Sequence, residues 1–212
     1  MIAVAIAAAS YALMPQELLL APRYLIPALE VGLGIAVAVT TTQRLSARSA
    51  WSRRGSLLLA GLVIASNLGA LGLLVSTLPD PDADAVSLLM GGMQVWLTNV
   101  IGFGLLYWEL DRGGPIVRRE MLRAQLPPAD WRFSQDENDE AISEVARGSS
   151  KRGWIPQFVD YQYLSLTNSS AFSPTDTMPL TGRAKLLMGL QASAALLVSL
   201  LIVARAVGSL GS

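Results

Sequence analysis

The chain has 212 residues, 52% of them hydrophobic and only 15% charged, with 16 basic and 16 acidic side chains in formal balance. A soluble domain carries roughly 25% charged residues, so the composition points to an integral membrane protein with the lipid bilayer as its partner and no nucleic acid. Cysteine and histidine are absent, which excludes disulfides, thiol nucleophiles and the commonest transition-metal ligands, and leaves any proton chemistry to carboxylates.

Charge is missing altogether from residues 55–79, 85–108 and 186–204. Runs of that length without a charge are candidate membrane spans. The expected fold is all-α: an integral membrane bundle of four to five transmembrane helices, with a cytoplasmic helical insertion and a re-entrant helix. Arg supplies fourteen of the sixteen basic residues, and with Ala and Leu dominating the spans this usage suits a bacterial cell membrane.

Residues 1–108 should hold the first four spans. Ile2 to Met14 makes about 20 Å of helix, against a bilayer core of about 30 Å, and is a thin or partial span. No positive charge precedes it, so a signal peptide does not fit. Span two is expected from about Tyr24 to Thr42, span three from Ser56 to Leu78 and span four from Ala85 to Trp108. Pro79 stops the third and Gly113-Gly114-Pro115 the fourth, since neither residue type continues a helix well. Span five should run from about Ala184 to Val207, within residues 183–212.

Orientation follows from Lys and Arg in the short loops. Arg44, Arg48, Arg53 and Arg54 lie between spans two and three with no acid, which places that loop in the cytoplasm. The next loop holds Asp80, Asp82 and Asp84 with no base and faces out. Span four then returns inside, so the insertion over residues 109–182 is cytoplasmic and the C-terminus lies outside. Only Arg23 and Arg205 fall toward the outer side.

An ionisable residue inside a span costs at least about 2.5–3.5 kcal/mol and needs a reason. Glu30 and Arg205 fall at similar depth in the same leaflet, and an intramembrane ion pair is their simplest reason. Asn67, Gln94, Asn99 and Gln191 are the carboxamide residues of spans three to five, suited to interhelical hydrogen bonds. Glu109 and Asp111 close span four and should sit in water.

The insertion opens with Pro115 to Leu126, a basic amphipathic helix or a plain continuation of span four. Ser134 with Glu137 three residues on forms a capping box for an acidic helix ending at Gly148, a solvated face rather than a cation site. Residues 109–153 are thus an amphipathic and acidic insertion. Over residues 154–182, Trp154, Phe158, Tyr161 and Ser165 share one helical face. They mark an interfacial helix, or one from about Pro156 to Thr167 that dips into the bilayer and returns through "NSSAFSPTD". Thr181 is the expected N-cap of span five.

The run Tyr161-x-Tyr163-x-Ser165-x-Thr167, followed by Ala171-Phe172-Ser173-Pro174-Thr175-Asp176-Thr177 and Arg183-Ala184-Lys185, resembles a C-terminal signature of uncharacterised multi-pass membrane proteins of actinobacteria. That resemblance covers roughly Trp154 to Ala206 and implies no particular activity. In layout the segment is also similar to the pore-loop unit of potassium channels: a Thr-rich pore helix, a short filter, an acidic residue and an inner helix. Such filters replace an ion's hydration with oxygen ligands. The resemblance implies a channel or transporter-type function. Its path would be lined by Tyr161, Tyr163, Ser165, Thr167, Asn168, Ser169, Ser170, Ser173, Thr175 and Asp176, its solute a small inorganic ion, and its assembly a homo-oligomer. The filter's glycine-aromatic-glycine core is replaced by Asn168-Ser169-Ser170-Ala171-Phe172, and the charge bias puts the loop on the opposite membrane side. The alternative is a non-catalytic scaffold or accessory subunit that binds a partner through the insertion. No enzyme chemistry and no cofactor are expected, because no carboxylate pair stands in a cleft-forming motif.

Overall fold

The computed structural model describes residues 2–13, 27–28, 31, 50–77, 85–136, 154–170 and 177–210. Six α-helices are defined among them: α1 (Ile2–Ala12), α2 (Ala50–Thr77), α3 (Ala85–Leu110), α4 (Pro115–Glu120), α5 (Phe158–Ser170) and α6 (Gly182–Leu210). Two short strands, β1 (Trp131–Phe133) and β2 (Thr177–Pro179), pair antiparallel with Arg132 opposite Met178. The architecture is therefore mostly helical, in keeping with the all-α expectation, with this short ribbon added to it. Three stretches are long and apolar enough to cross a membrane: Arg53–Thr77, Val86–Gly113 and Gly182–Arg205.

Helix α3 is the centre of the bundle. Asn67 of α2 donates to the Val95 carbonyl at 2.6 Å, and Ala70, Leu71 and Leu74 pack with Leu88, Val95, Ala194 and Val198. Helices α2 and α6 both run antiparallel to α3. Gly92 permits a close approach of α3 and α6: a Cβ there would meet Ile202 Cγ1 at 2.8 Å, which explains a small residue at this helix crossing. Helix α1 seats Ala7 among Leu59, Ala60, Val63, Ile101 and Leu105.

The outer surface is apolar while the interior is partly polar. Leu58, Val86, Met90, Met93, Leu200 and Val203 are exposed, as are Val159, Tyr163 and Leu166 on α5. Inward, α5 turns Tyr161, Leu164, Ser165, Asn168 and Ser169. A water-facing helix distributes these residue types the other way round.

Boundaries differ from the sequence reading in informative places. Helix α2 begins at Ala50 rather than Ser56, because Arg53 and Arg54 limit an apolar run but are good helix formers. The amphipathic helix expected to reach Leu126 stops at Glu120, where Met121 turns extended with φ −94° and ψ 147°. Ser134 opens only a 3₁₀ turn through Asp136, and the acidic helix expected after it lies outside the described residues. So do most of span two, Glu30 and the residues 171–176.

Candidate functional site

Helix α5 runs back along α3 from the latter's C-terminal end. Phe158 stacks edge-on against Trp108 at 5.3 Å, Tyr161 Oη donates to Asp111 Oδ2 at 2.6 Å, and Ser165 Oγ donates to the Val100 carbonyl at 2.7 Å. Thirteen residues make about 20 Å of helix, so α5 reaches roughly the middle of α3. By Thr177 the chain is back at the starting end, paired with Phe133 in the ribbon. Leu180 N–H donates to the Asp130 carbonyl there at 2.8 Å.

Where α5 ends, Gln191 of α6 is the hub of a buried polar cluster. Its Nε2 donates to Ser165 Oγ at 2.6 Å, to the Ser165 carbonyl at 3.0 Å and to Ser169 Oγ at 2.9 Å. Three acceptors share two N–H groups, so one hydrogen bond is bifurcated. Its Oε1 accepts from Tyr107 Oη at 2.6 Å and from Asn168 Nδ2 at 2.9 Å. Asn168 Nδ2 also donates to the Met188 carbonyl at 3.0 Å, and Asn99 Nδ2 to the Gln191 carbonyl at 3.4 Å. Neutral groups bonded in this way avoid the several kcal/mol that an unpaired polar group costs in an apolar interior. Gln94 Oε1, Thr98 Oγ1 and Asn99 Oδ1 are buried without a hydrogen-bond partner among the described residues.

At the end of α3 the polar groups are charged. Arg112, Gly113 and Gly114 all take positive φ, at 48°, 81° and 96°, and reverse the chain into α4. A Cβ on Gly114 would meet the Glu109 carbonyl at 3.1 Å, so glycine is required twice over. The reversal turns Arg118 back under α3. Only 1% exposed, it donates to the Asp111 carbonyl at 2.6 Å and the Trp108 carbonyl at 2.8 Å, capping the helix's negative end. Its guanidinium also lies 5.0 Å from the Tyr161 ring centroid. Burial lowers the Arg118 pKa, with neighbouring Tyr161, Asp111 and Glu109 opposing the shift.

Asp111, fully buried, accepts from the Asp130 N–H at 2.7 Å and from Tyr161, and lies 3.4 Å from Arg112 Nε. Asp130 in turn holds Arg183 through both carboxylate oxygens and accepts from Thr181 Oγ1 at 2.6 Å. Thr181 Oγ1 also accepts from the Ala184 N–H at 3.2 Å, as an N-cap does. Glu109 is buried as well and takes a hydrogen bond from Ser56. The expectation that Glu109 and Asp111 sit in water is thus overturned, because α4 and the ribbon fold over them.

Among the segment residues singled out by sequence, Tyr161, Ser165, Asn168 and Ser169 meet at the interior of α5. Thr167 is half-buried and bonds back to Tyr163 and Leu164 carbonyls, while Tyr163 and Ser170 face outward. Ser173, Thr175 and Asp176 lie outside the described residues, and so does Glu30, the proposed partner of half-buried Arg205. Sequence reasoning missed Tyr107, Arg118, Asp130 and Arg183. Asp130 carried one signal, an acid wedged between apolar Ala129 and Trp131. Arg118 and Arg119 carried none, since neighbours of one type differ only in helix phase. No group of three His, Cys, Asp or Glu suited to a metal occurs among the described residues.

Comparison with known protein families, with curated proteins and with solved structures finds no match to this chain.

Proposed function

We propose that this is a multi-pass membrane protein with a pore-loop-like channel or transporter-type function, its path lined by the segment Tyr161 to Asp176. The half-length course of α5 carries this reading. The helix enters beside the end of α3, stops near Val100 and Gln191, and by Thr177 the chain has returned to the same end. Backbone that turns round at membrane depth is tolerated only where protein or a water-filled cavity surrounds it. The outward Val159, Tyr163 and Leu166 suit lipid or a neighbouring subunit, and the exposed leucines of α6 suit a homo-oligomer around a shared path. By the distribution of Lys and Arg, the polar end faces the cytoplasm and the C-terminus lies outside. Membership of the actinobacterial family with the AFSPTDT signature belongs to the same reading.

Ion flux from liposomes holding the purified protein tests it. Flux that Asp176→Ala alters, with folding intact, is the expected result; no flux under any gradient or voltage would sink it. A second reading is favoured by one observation: the inward hydroxyls and amides of α5 are consumed by bonds to α3 and α6. That suits a non-catalytic scaffold or accessory subunit. Absence of flux together with a partner retained through residues 109–153 would select it. For Glu30 and Arg205, the double swap Glu30→Arg with Arg205→Glu should restore expression lost in each single variant.

A further inference from the structure

The ribbon of β1 and β2 has two unlike faces. Trp131, Phe133 and Thr177 are buried on the inner one, while Arg132 and Met178, opposite each other in the register, are exposed on the outer one. Leu180 follows Met178 two residues on and is exposed as well. An antiparallel pair with one face in water alternates apolar-in with polar-out. Here two of the three outward side chains are apolar, Met178 56% and Leu180 50% exposed. The third, Arg132, donates from Nη2 to the Met178 sulfur at 3.2 Å across that face.

The ribbon stands level with the ends of two candidate spans. The Asp130 N–H donates to Asp111, near the end of Val86–Gly113, and Leu180 lies just before Gly182, where the next span starts. Trp131 reaches further in: its ring lies 4.7 Å from that of Tyr107, and its indole N–H donates to the Met188 sulfur at 3.1 Å. Tyr107 and Met188 are each six residues inside their spans, about 9 Å of helix.

We infer that the outer face of the ribbon is a lipid-contact surface, seated at the headgroup–acyl boundary of the leaflet at the polar end. Two opposed demands set that depth. Covering Met178 and Leu180 with acyl chain draws the ribbon inward. A two-stranded sheet has two edges whose N–H and C=O groups need partners, and the hydrocarbon core has no water to supply them. The boundary satisfies both. The apolar surface continues from Leu180 into α6 through the exposed Leu186 and Leu190, so the lipid that covers the span also covers the ribbon. Because Phe133 stacks edge-on against Tyr161 at 5.2 Å, lipid held on the outer face steadies the base of α5 from behind. The inference rests on the multi-pass reading and not on whether α5 lines a path.

The chain has no cysteine, so single cysteines can be spin-labelled without background. Met178→Cys and Leu180→Cys report the ribbon, Leu196→Cys the exposed middle of α6, and Glu120→Cys the exposed end of α4. Each full-length variant, checked for folding by circular dichroism, is placed in phosphatidylethanolamine–phosphatidylglycerol vesicles. Collisions with oxygen, which concentrates among acyl chains, are compared with collisions with a nickel chelate, which stays in water. Positions 178 and 180 should favour oxygen, as 196 does, and differ from 120. Ribbon positions that match 120 while 196 favours oxygen overturn the inference and leave the multi-pass reading standing. A position 196 that matches 120 overturns both. Ribbon positions that neither reagent reaches overturn the inference in favour of a protein cover, such as a second copy of the chain.

Discussion

Around Gln191 every buried partner is a neutral amide or hydroxyl, whereas around Asp111 and Asp130 the partners include the guanidiniums of Arg112 and Arg183. The two clusters are joined by α5, whose Tyr161 bonds to the second and whose Ser165, Asn168 and Ser169 bond to the first. Depth separates them. Halfway along three apolar helices a charge has no water to fall back on, and neutral groups satisfy one another at far lower desolvation cost. At the end of α3, Arg183 is still 55% exposed at its side chain, so its pairing with Asp130 is partly solvated. Neutral bonds therefore fix the tip of α5, and ions fix its base.

Removing Arg118 should break that contrast most severely. Arg118→Leu leaves two helix-end carbonyls bare and Asp111 with less compensation, at about 3–5 kcal/mol, the range for breaking a buried ionic group's pairing. Unfolding in mixed micelles would measure it, and a loss below about 1 kcal/mol would mean the cap is dispensable. Gln191→Leu should rank next. It strands Tyr107, Asn168, Ser165 and Ser169 at once and should cost about 1–3 kcal/mol, with protease nicking near Ser170 rising as the tip of α5 loosens. Arg183→Ala should cost about 1 kcal/mol or less, because water already screens the exposed guanidinium. Its effect should shrink in high salt, while that of Gln191→Leu should not. Smallest of all, Tyr163→Leu on the outer face of α5 should stay within about 0.5 kcal/mol; a larger loss would show that this face is covered.

Much of the bundle was legible from hydropathy alone. The charge-free runs gave α3 and α6 to within a few residues, since a stretch of that length without charge has few other stable environments. The polar residues inside the spans announced the Gln191 cluster only as isolated letters. Nothing in the sequence says that Ser165 and Gln191, 26 residues apart, share a hydrogen bond. Asp111 was misread as a solvated helix end because the reversal at Arg112-Gly113-Gly114 was taken for a stop; it is a turn that brings Arg118 home. The ribbon escaped notice because two three-residue strands carry too little periodicity to be distinguished from loop.

The sequence by itself determined three of the stretches long and apolar enough to cross a membrane and where turns must interrupt them, because hydropathy and backbone restriction are local properties. Tertiary structure alone decided which of Arg118 and Arg119 is buried, which carboxylates lose their water, and that α5 goes only halfway before the chain comes back. Those outcomes depend on the phase of one helix against another and on partners distant in the chain, and no window of sequence contains both.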